Sequence, residues 1–257
     1  MAAATVSGIP DAPAPEPPNV KKVKTKTTRP ILPPTAERKP IRTERLVIRP
    51  PEVTDLEIIY PLRRQPEVMQ WTMVGVVDKD LDATREWMAR FMPPNDMKSY
   101  EYVIIYLGEQ QQGEEVDKTT GELIGVGGVM NAGLTGQPEV GYLFRKEYWG
   151  KGIATEFVRA VTKAWWALPR REVEVETEVG LVPVTAGKRE VNGGGSDDPI
   201  QIPEVLKAVI AAENIGSRRV LEKSGFKEYR AWTEGDLRID YDGIIELLAL
   251  KLEAPAS

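Results

Sequence analysis

The sequence predicts an α/β domain with a mixed β-sheet, and three observations support this fold class. Apolar residues recur at strand or helix spacing through residues 43–257. The predicted order, β-α-α-β-β-β-α-β-α-β-β, places strands next to one another too often for a doubly wound parallel sheet. The composition, with 41% hydrophobic and 28% charged residues, is ordinary for a globular domain.

The first 42 residues differ in composition from the rest of the chain. They contain nine prolines and the basic cluster Lys21-Lys22-Val-Lys24-Thr-Lys26. Such a segment has few large apolar side chains to offset the entropy lost on folding, so we expect residues 1–42 to form a disordered, proline-rich basic tail. A tethering or nuclear-targeting role for the lysines is the alternative. The folded domain is expected to cover residues 43–257.

The first half of this domain should contain three strands and two helices. Arg45–Arg49 is an apolar run between charged ends and predicts the first strand. Two helices are expected over 55–64, where acidic residues begin the run, and over 81–92, where apolar residues recur at helical spacing. Residues 100–107 and 123–130 predict two strands joined by a long polar hairpin loop.

The centre of the chain reads as a strand, a glycine-rich turn and a helix. Val140–Phe144 is a short apolar strand, the turn contains Gly150-Lys151-Gly152, and apolar residues recur at helical spacing from Ile153 onward. The glycines remove side chains where backbone N–H groups meet the positive end of the helix dipole. This arrangement suits a phosphate or pyrophosphate, although a simple strand-to-helix connection explains it equally well.

The last third of the domain begins with residues 172–179, where valine and glutamate alternate as in a half-buried strand. Residues from about 180 to 205 are rich in glycine and turn formers and predict an inserted loop. A helix over 213–224 and two strands, 226–232 and 244–252, should complete the fold.

The chain contains no cysteine and no histidine, which excludes several kinds of chemistry. Disulfides, thiol nucleophiles and Ser–His catalysis are ruled out, and transition metals lose their usual ligands. We therefore expect no metal, with a carboxylate magnesium site as the alternative. No apolar run approaches the ~20 residues needed to span a bilayer, and the first residues do not resemble a secretory signal. A cytoplasmic location is expected, with a nuclear location as the alternative.

Three motifs, taken together, resemble a known superfamily. They are Thr43-Glu-Arg-Leu-Val-Ile-Arg49, the stretch from Glu139 to Glu156, and Asn214-Ile-Gly-Ser-Arg-Arg-Val-Leu-Glu-Lys-Ser-Gly-Phe226. Their order and content resemble the GNAT superfamily of acyl-CoA N-acyltransferases, most closely its RimJ/RimL-like branch. The resemblance implies acetyl-CoA as donor, a primary amine as acceptor, and a mixed, mostly antiparallel sheet flanked by helices. In such folds two strands splay apart and form the cleft for CoA.

The resemblance also implies which residues bind the donor. The pantetheine arm would lie beside Val140–Phe144, in the gap before the predicted strand at 172–179. Backbone N–H groups from Arg145 through Thr155 would hold the pyrophosphate. The implied cofactor-binding residues are Tyr142, Leu143, Phe144, Arg145, Gly150, Lys151, Gly152, Ile153, Ala154, Thr155, Asn214 and Ser217. For Asn214, capping of the following helix is the alternative role.

The catalytic groups are assigned from the same resemblance and from the chemistry. Many GNAT enzymes have a tyrosine where this chain has Leu221. Ser217 is the candidate that bonds or protonates the departing thiolate, because it matches a serine that lies near the thioester sulfur in the RimJ/RimL-like branch. Without cysteine, a neutral amine should attack the acetyl carbonyl directly in a ternary complex. Glu139 is the first candidate for the base and Glu176 the reserve, while a solvent-exposed strand-end carboxylate is the alternative for both.

Glu147 departs from the family pattern, which usually has glutamine or arginine there, and we expect its side chain to point to solvent. The acceptor should be a protein N-terminal α-amine or a small amine. An acidic folded body favours a cationic acceptor. The alternative function is a non-catalytic acyl-CoA-binding or protein-interaction module. We expect a monomer or homodimer, without nucleic-acid or membrane partners.

Overall fold

The computed structural model describes residues 20–108, 121–131, 137–183 and 198–255. Its helices are α1 (Leu56–Arg63), α2 (Pro66–Met69), α3 (Leu81–Ala89), α4 (Ile153–Trp166) and α5 (Ile215–Lys223). Its strands are β1 (Lys22–Pro30), β2 (Ile41–Arg42), β3 (Leu46–Arg49), β4 (Ser99–Tyr106), β5 (Glu122–Met130), β6 (Glu139–Phe144), β7 (Arg170–Glu178), β8 (Ile200–Gln201), β9 (Val205–Ala211), β10 (Lys227–Gly235) and β11 (Ile244–Glu253).

The main sheet has eight strands in the order β10-β11-β9-β6-β5-β4-β3-β2. Adjacent strands pair antiparallel except β6 and β9, which are parallel. The predicted fold class, a mixed and mostly antiparallel sheet flanked by helices, is therefore confirmed. The predicted β4–β5 hairpin is also confirmed, and the residues of its loop from 109 to 120 lie outside the described part.

Helices cover both faces of this sheet because their apolar residues fall on one side. In α4, Phe157, Val161 and Trp165 recur every four residues, and all three are fully buried against the sheet. On the opposite face, Ile59 of α1 and Trp87 of α3 pack in a second cluster. In the described ranges, no helix is long and apolar enough to cross a membrane.

The prediction that residues 1–42 are disordered is wrong for residues 20–42. β1 pairs antiparallel with β7 along all nine of its residues and parallel with β8, which creates a separate sheet, the N-terminal sheet (β7-β1-β8). Thr25 and Thr27 point inward, while the alternating Lys24 and Lys26 are exposed and half-buried, respectively. Because the inward residues are threonines, hydrophobicity did not reveal the strand. Residues 1–19 lie outside the described part.

The predicted neighbour of β6 is also wrong. The strand at 172–179 forms β7 of the N-terminal sheet, and β9 lies beside β6 instead. Part of the predicted inserted loop, about 180–205, thus contains β8 and the start of β9, while residues 184–197 lie outside the described part. The run Val-Leu-Lys-Ala-Val-Ile-Ala of β9 is the continuous apolar pattern of a central strand, interrupted by Lys207.

Buried polar contacts join the N-terminal sheet to the main one. Glu204 accepts hydrogen bonds from Thr28 Oγ1 at 3.0 Å and from Trp165 Nε1 at 3.1 Å. The Arg29 guanidinium donates to Gln137, whose Nε2 donates to Thr177 Oγ1. These contacts link β1 to α4 and to the segment just before β6, so the extra sheet is fixed beside the start of β6.

Candidate active site

The strands β6 and β9 meet at one end and separate toward the other. Glu139 is the bridge partner of Lys207, and Lys207 N donates to Pro138 O at 2.8 Å. Within the described residues, the register of this pair contains no further bridge. The other edge of β6 pairs with β5 along its whole length, from Glu139 to Phe144. The predicted splay therefore lies between β6 and β9.

The two glycines of the turn after β6 have a conformational role that goes beyond the predicted removal of side chains. Gly150 and Gly152 have φ angles of +78° and +76°, in the left-handed region that favours glycine. A Cβ at Gly150 would meet no atom within 4 Å, and one at Gly152 would meet only Arg45 Nη2, at 3.7 Å. The backbone conformation, and not crowding, therefore requires these glycines. Gly152 directly precedes α4, whose first N–H groups have no acceptors within the helix.

A cavity of about 140 Å³ lies between this turn and α5. Six of the predicted donor-binding residues line it: Phe144, Gly150, Gly152, Ile153, Ala154 and Thr155. Arg219 and Lys223 of α5 line the opposite wall and bring positive charge that the sequence analysis did not identify. The start of α4 and these two cations make the cavity suitable for an anion.

Two predicted residues of the turn are engaged elsewhere. The N–H of Arg145 donates to Ile124 O at 2.8 Å, so it continues the sheet and cannot also hold a pyrophosphate. The Arg145 side chain forms an ion pair with Glu122. The Lys151 ammonium lies over the Tyr148 ring, 5.2 Å from its centroid. Of the predicted pyrophosphate donors, the Arg145 N–H is therefore unavailable, while every residue from Gly150 to Thr155 except Lys151 lines the cavity.

Glu147 is exposed, as predicted, and it has a partner outside the cavity. Gln65 Nε2 donates to both of its carboxylate oxygens at 3.0 Å, while Gln65 Oε1 accepts from Lys146 N at 2.9 Å. The hydrogen bond from Gln65 holds the pKa of Glu147 below its usual value. Glu147 does not line the cavity, so its charge does not face the anion site.

The structure brings Ser217, Asn214 and Tyr142 together between β6 and α5. Asn214 Oδ1 accepts from Ser217 N at 3.1 Å, which confirms its capping role. The hydroxyl groups of Ser217 and Tyr142 lie 2.7 Å apart, and both side chains are fully buried. Burial raises the pKa of Tyr142, so its phenol stays protonated. The sequence analysis assigned only the backbone of Tyr142 and missed this hydroxyl.

Glu139 is not the solvent-exposed carboxylate of the alternative interpretation, because only 1% of it is exposed. It lies at the closed end of the splay beside Lys207. Glu176, the reserve base, is exposed in β7 opposite Lys24, and the structure does not bring it to Glu139. Glu178, two residues later, is buried, and its Oε1 lies 3.1 Å from Lys207 Nζ.

Lys207 and Glu178 were missed because each lay outside the predicted site. The only signal for Lys207 was a single lysine within an apolar run. Tyr229 Oη donates to Glu178 Oε2 at 3.3 Å, and Arg230 Nη1 lies 3.5 Å from the same oxygen. The start of the splay is therefore a buried, charged region next to the β6 backbone, an environment of the kind in which active sites shift pKa values.

Comparisons with known proteins agree with this geometry. A family model described as the acetyltransferase (GNAT) domain matches residues 45–227. The uncharacterized protein YkkB of Bacillus subtilis (strain 168) is 33% identical over 121 residues, which make up 46% of this chain and 63% of that protein. The chain thus spans less than two thirds of this curated relative's length.

Solved structures share the fold. A GNAT-family acetyltransferase from Bacillus anthracis has a TM-score of 0.55 and 20% identity, over 84% of this chain and 99% of that one. Spermidine N-acetyltransferase from Vibrio cholerae, in complex with CoA and spermine, has a TM-score of 0.54 and 14% identity, over 82% and 97% of the two chains. At these identities the likeness shows the fold alone.

Proposed function

Because the chain belongs to the GNAT acetyltransferase family, we propose that it transfers an acetyl group from acetyl-CoA to a primary amine by direct attack in a ternary complex. The cavity between the glycine turn and α5 is the observation that carries this proposal. It combines the N-terminus of α4 with Arg219 and Lys223, and this combination suits the pyrophosphate of CoA. The RimJ/RimL-like branch and a cytoplasmic location are finer parts of the same proposal.

The edge of β6 that faces the splay would bind the rest of the donor. Backbone groups of Tyr142, Leu143 and Phe144 would pair with the pantetheine amides, much as a strand pairs with a neighbour. A backbone N–H on this strand would polarise the acetyl carbonyl and stabilise the oxyanion that forms during attack. Asn214 would contact the pantetheine arm from α5 while it caps that helix.

Two sets of buried groups would assist the reaction. Glu139 would accept a proton from the acceptor amine as the new C–N bond forms. When the C–S bond breaks, the Ser217 hydroxyl would donate a hydrogen bond to the CoA thiolate and accept one from the adjacent Tyr142 hydroxyl, and the thiolate would then take its proton from solvent. An α-amine with a pKa near ~8 needs less help from the base than an alkyl ammonium near ~10.

The acceptor itself is proposed as a class. The buried carboxylates Glu139 and Glu178 at the start of the splay favour an amine that arrives as a cation. A small amine and a protein N-terminal α-amine both meet this description. The Vibrio cholerae neighbour, which was solved with spermine, gives the small-amine version a precedent within the fold.

Calorimetric titration with acetyl-CoA, followed by measurement of CoA release, tests the proposal. We expect 1:1 binding, and CoA release when free amines or peptides with free N-termini are supplied. N-terminally blocked peptides without lysine are the control and should release none. Glu139→Gln should lower kcat by at least about 100-fold and leave acetyl-CoA affinity unchanged. The family activity would be contradicted by absent acetyl-CoA binding, and binding without release across the panel would favour the non-catalytic module.

A further inference from the structure

Lys207 is an unusual residue for a central strand. Only 1% of its side chain is exposed, and both of its neighbours in β9, Leu206 and Ala208, belong to the hydrophobic core. A charged lysine is rarely buried to this extent unless a carboxylate accompanies it. Glu178 supplies one, because its Oε1 lies 3.1 Å from Lys207 Nζ.

A second carboxylate, that of Glu139, also lies beside Lys207. Glu139 and Lys207 are bridge partners in adjacent strands ~4.8 Å apart, and their side chains leave the sheet on the same face. The charge of Glu139 acts on Lys207 and favours its protonated form. Lys207 therefore has two carboxylates near it, and all three groups are buried.

We propose that Lys207 is a positioning residue that keeps Glu139 ionised and aimed at the acceptor amine, and that Glu178 fixes Lys207 from the N-terminal sheet. This inference rests on the proposed function, in which Glu139 takes the proton. Without a cation beside it, a carboxylate as buried as Glu139 would favour its neutral form and could not accept a proton at neutral pH. Lys207 opposes that effect.

Other charged and titratable groups face this triad from the adjacent strands. They are Tyr229 and Arg230 of β10 and Lys251 of β11, which lies opposite Lys207. Arg230 Nη1 shares Glu178 at 3.5 Å, and the Lys251 ammonium is paired with Glu253 at 3.1 Å. Burial lowers the pKa of Lys207, while Glu178 and Glu139 oppose that shift. Arg230 also pairs with Glu178 and so offsets part of its negative charge. The positive charge of Lys207 is therefore not fully balanced by Glu178 and also acts on Glu139.

The inference gives β1 a part in the reaction. Glu178 is the last residue of β7 and stands opposite Lys22 of β1. The strand that was predicted to be a disordered tail would thus hold the end of β7 against the start of the splay. Lys207 would transmit this support to the base.

The pH dependence of kcat/KM for CoA release, measured on the full chain with the best acceptor of the panel, tests the inference. In Lys207→Met the acidic limb set by Glu139 should move to higher pH by about one unit or more, because an opposite charge at this distance lowers a carboxylate pKa by ~1–3 units. The loss of activity should be largest below the shifted limb and should disappear at alkaline pH, where Glu139 is ionised in both proteins. Lys207→Arg should restore the limb, and Lys227→Met, an exposed lysine of β10, is the control.

The double variant Lys207→Met/Glu178→Gln guards against misfolding, because it leaves no unpaired charge at position 178. It should show the same shift of the limb. An activity loss that is equal at every pH, with the limb unmoved, would overturn the inference and leave the proposed function standing. Full activity in Glu139→Gln would instead remove both Glu139 as the base and the role of Lys207.

A direct titration removes the dependence on turnover. In protein labelled with ¹³C at glutamate carboxyls, the signal absent from Glu139→Gln identifies Glu139. Its midpoint should rise by about one unit or more in Lys207→Met. An unchanged midpoint would overturn the inference even if no acceptor of the panel were acetylated.

Discussion

The glycine turn and the N-terminal sheet are constructed in opposite ways. The turn and the start of α4 form one continuous segment, and the features that matter there, two positive φ angles and a helix N-terminus, are local. The N-terminal sheet joins β1 to β7 across some 150 positions, as the bond from Thr25 Oγ1 to Val175 O shows. The conformation of the glycine turn is therefore encoded locally, while the support of the proposed base depends on distant segments.

Removal of β1 should have the largest effect of the variants that test this contrast. Deletion of residues 1–30 strips β7 of the strand that pairs with it from Arg170 to Glu178 and removes Arg29, the buried partner of Gln137. We expect a loss of several kcal/mol in the free energy of unfolding, seen as a fall in Tm of about 10 °C. Thermal unfolding followed by circular dichroism measures it.

Deletion of residues 1–19 alone is the matched control, since it leaves the whole of β1 in place. This variant should have the same Tm as the full chain. Equal melting temperatures for both deletions would show that β1 adds no stability, and the contrast between the two regions would lose its energetic basis.

The errors of the sequence analysis follow the same division. Helices and hairpins were predicted because their apolar periodicity lies within a few residues, as in α4 and the β4–β5 pair. β1 was missed because its inward positions are threonines, which bury little apolar area and reveal their role only opposite β7. β9 was missed because Lys207 interrupts its apolar run. The burial of this lysine is explained only by the carboxylates of Glu139 and Glu178, which the fold brings beside it.

Ser217→Ala should lower kcat by an intermediate amount. It tests the contact between β6 and α5, a second place where distant segments meet. The Ser217 hydroxyl lies 2.7 Å from that of Tyr142, and neither reaches solvent. If this pair stabilises the thiolate by a hydrogen bond, kcat should fall at least about 10-fold while the Kd for acetyl-CoA changes by less than about 3-fold. Single-turnover measurements of CoA release give the chemical step.

Ser224→Ala is the matched control, because that hydroxyl donates to Val220 O near the end of the same helix. It should leave kcat unchanged. Tyr142→Phe should reproduce part of the loss and keep the ring packed near Phe144 and Phe157. If Ser217→Ala leaves the chemical step unchanged, the hydroxyl has no part in the mechanism.

The backbone elements of the candidate site could therefore be predicted from the sequence, but only some of its side chains could. Gly150, Gly152 and Ser217 could be found because each belongs to a short motif with fixed spacing. The Tyr142 hydroxyl, Arg219 and Lys223 became visible only when β6, α4 and α5 were placed together. No local pattern distinguishes a tyrosine with a solvent-facing hydroxyl from one whose hydroxyl contacts a serine of another helix.

Glu147→Gln should have the smallest effect of these variants, a small change in acetyl-CoA affinity. It tests whether the negative charge of Glu147 acts on an anion bound beside the glycine turn. Gln65 holds the Glu147 carboxylate outside the anion cavity, and the group is exposed, so its repulsion of a bound pyrophosphate is screened by solvent and salt. We expect the affinity for acetyl-CoA to rise by less than about 3-fold in calorimetric titrations at about 150 mM salt. Glu67→Gln, which removes the carboxylate paired with Lys146, is the matched control for loss of one nearby negative charge. A gain above about 10-fold in Glu147→Gln alone would mean that the carboxylate turns toward the phosphates when the donor binds, and the turn would then depend on Gln65 as much as on its own glycines.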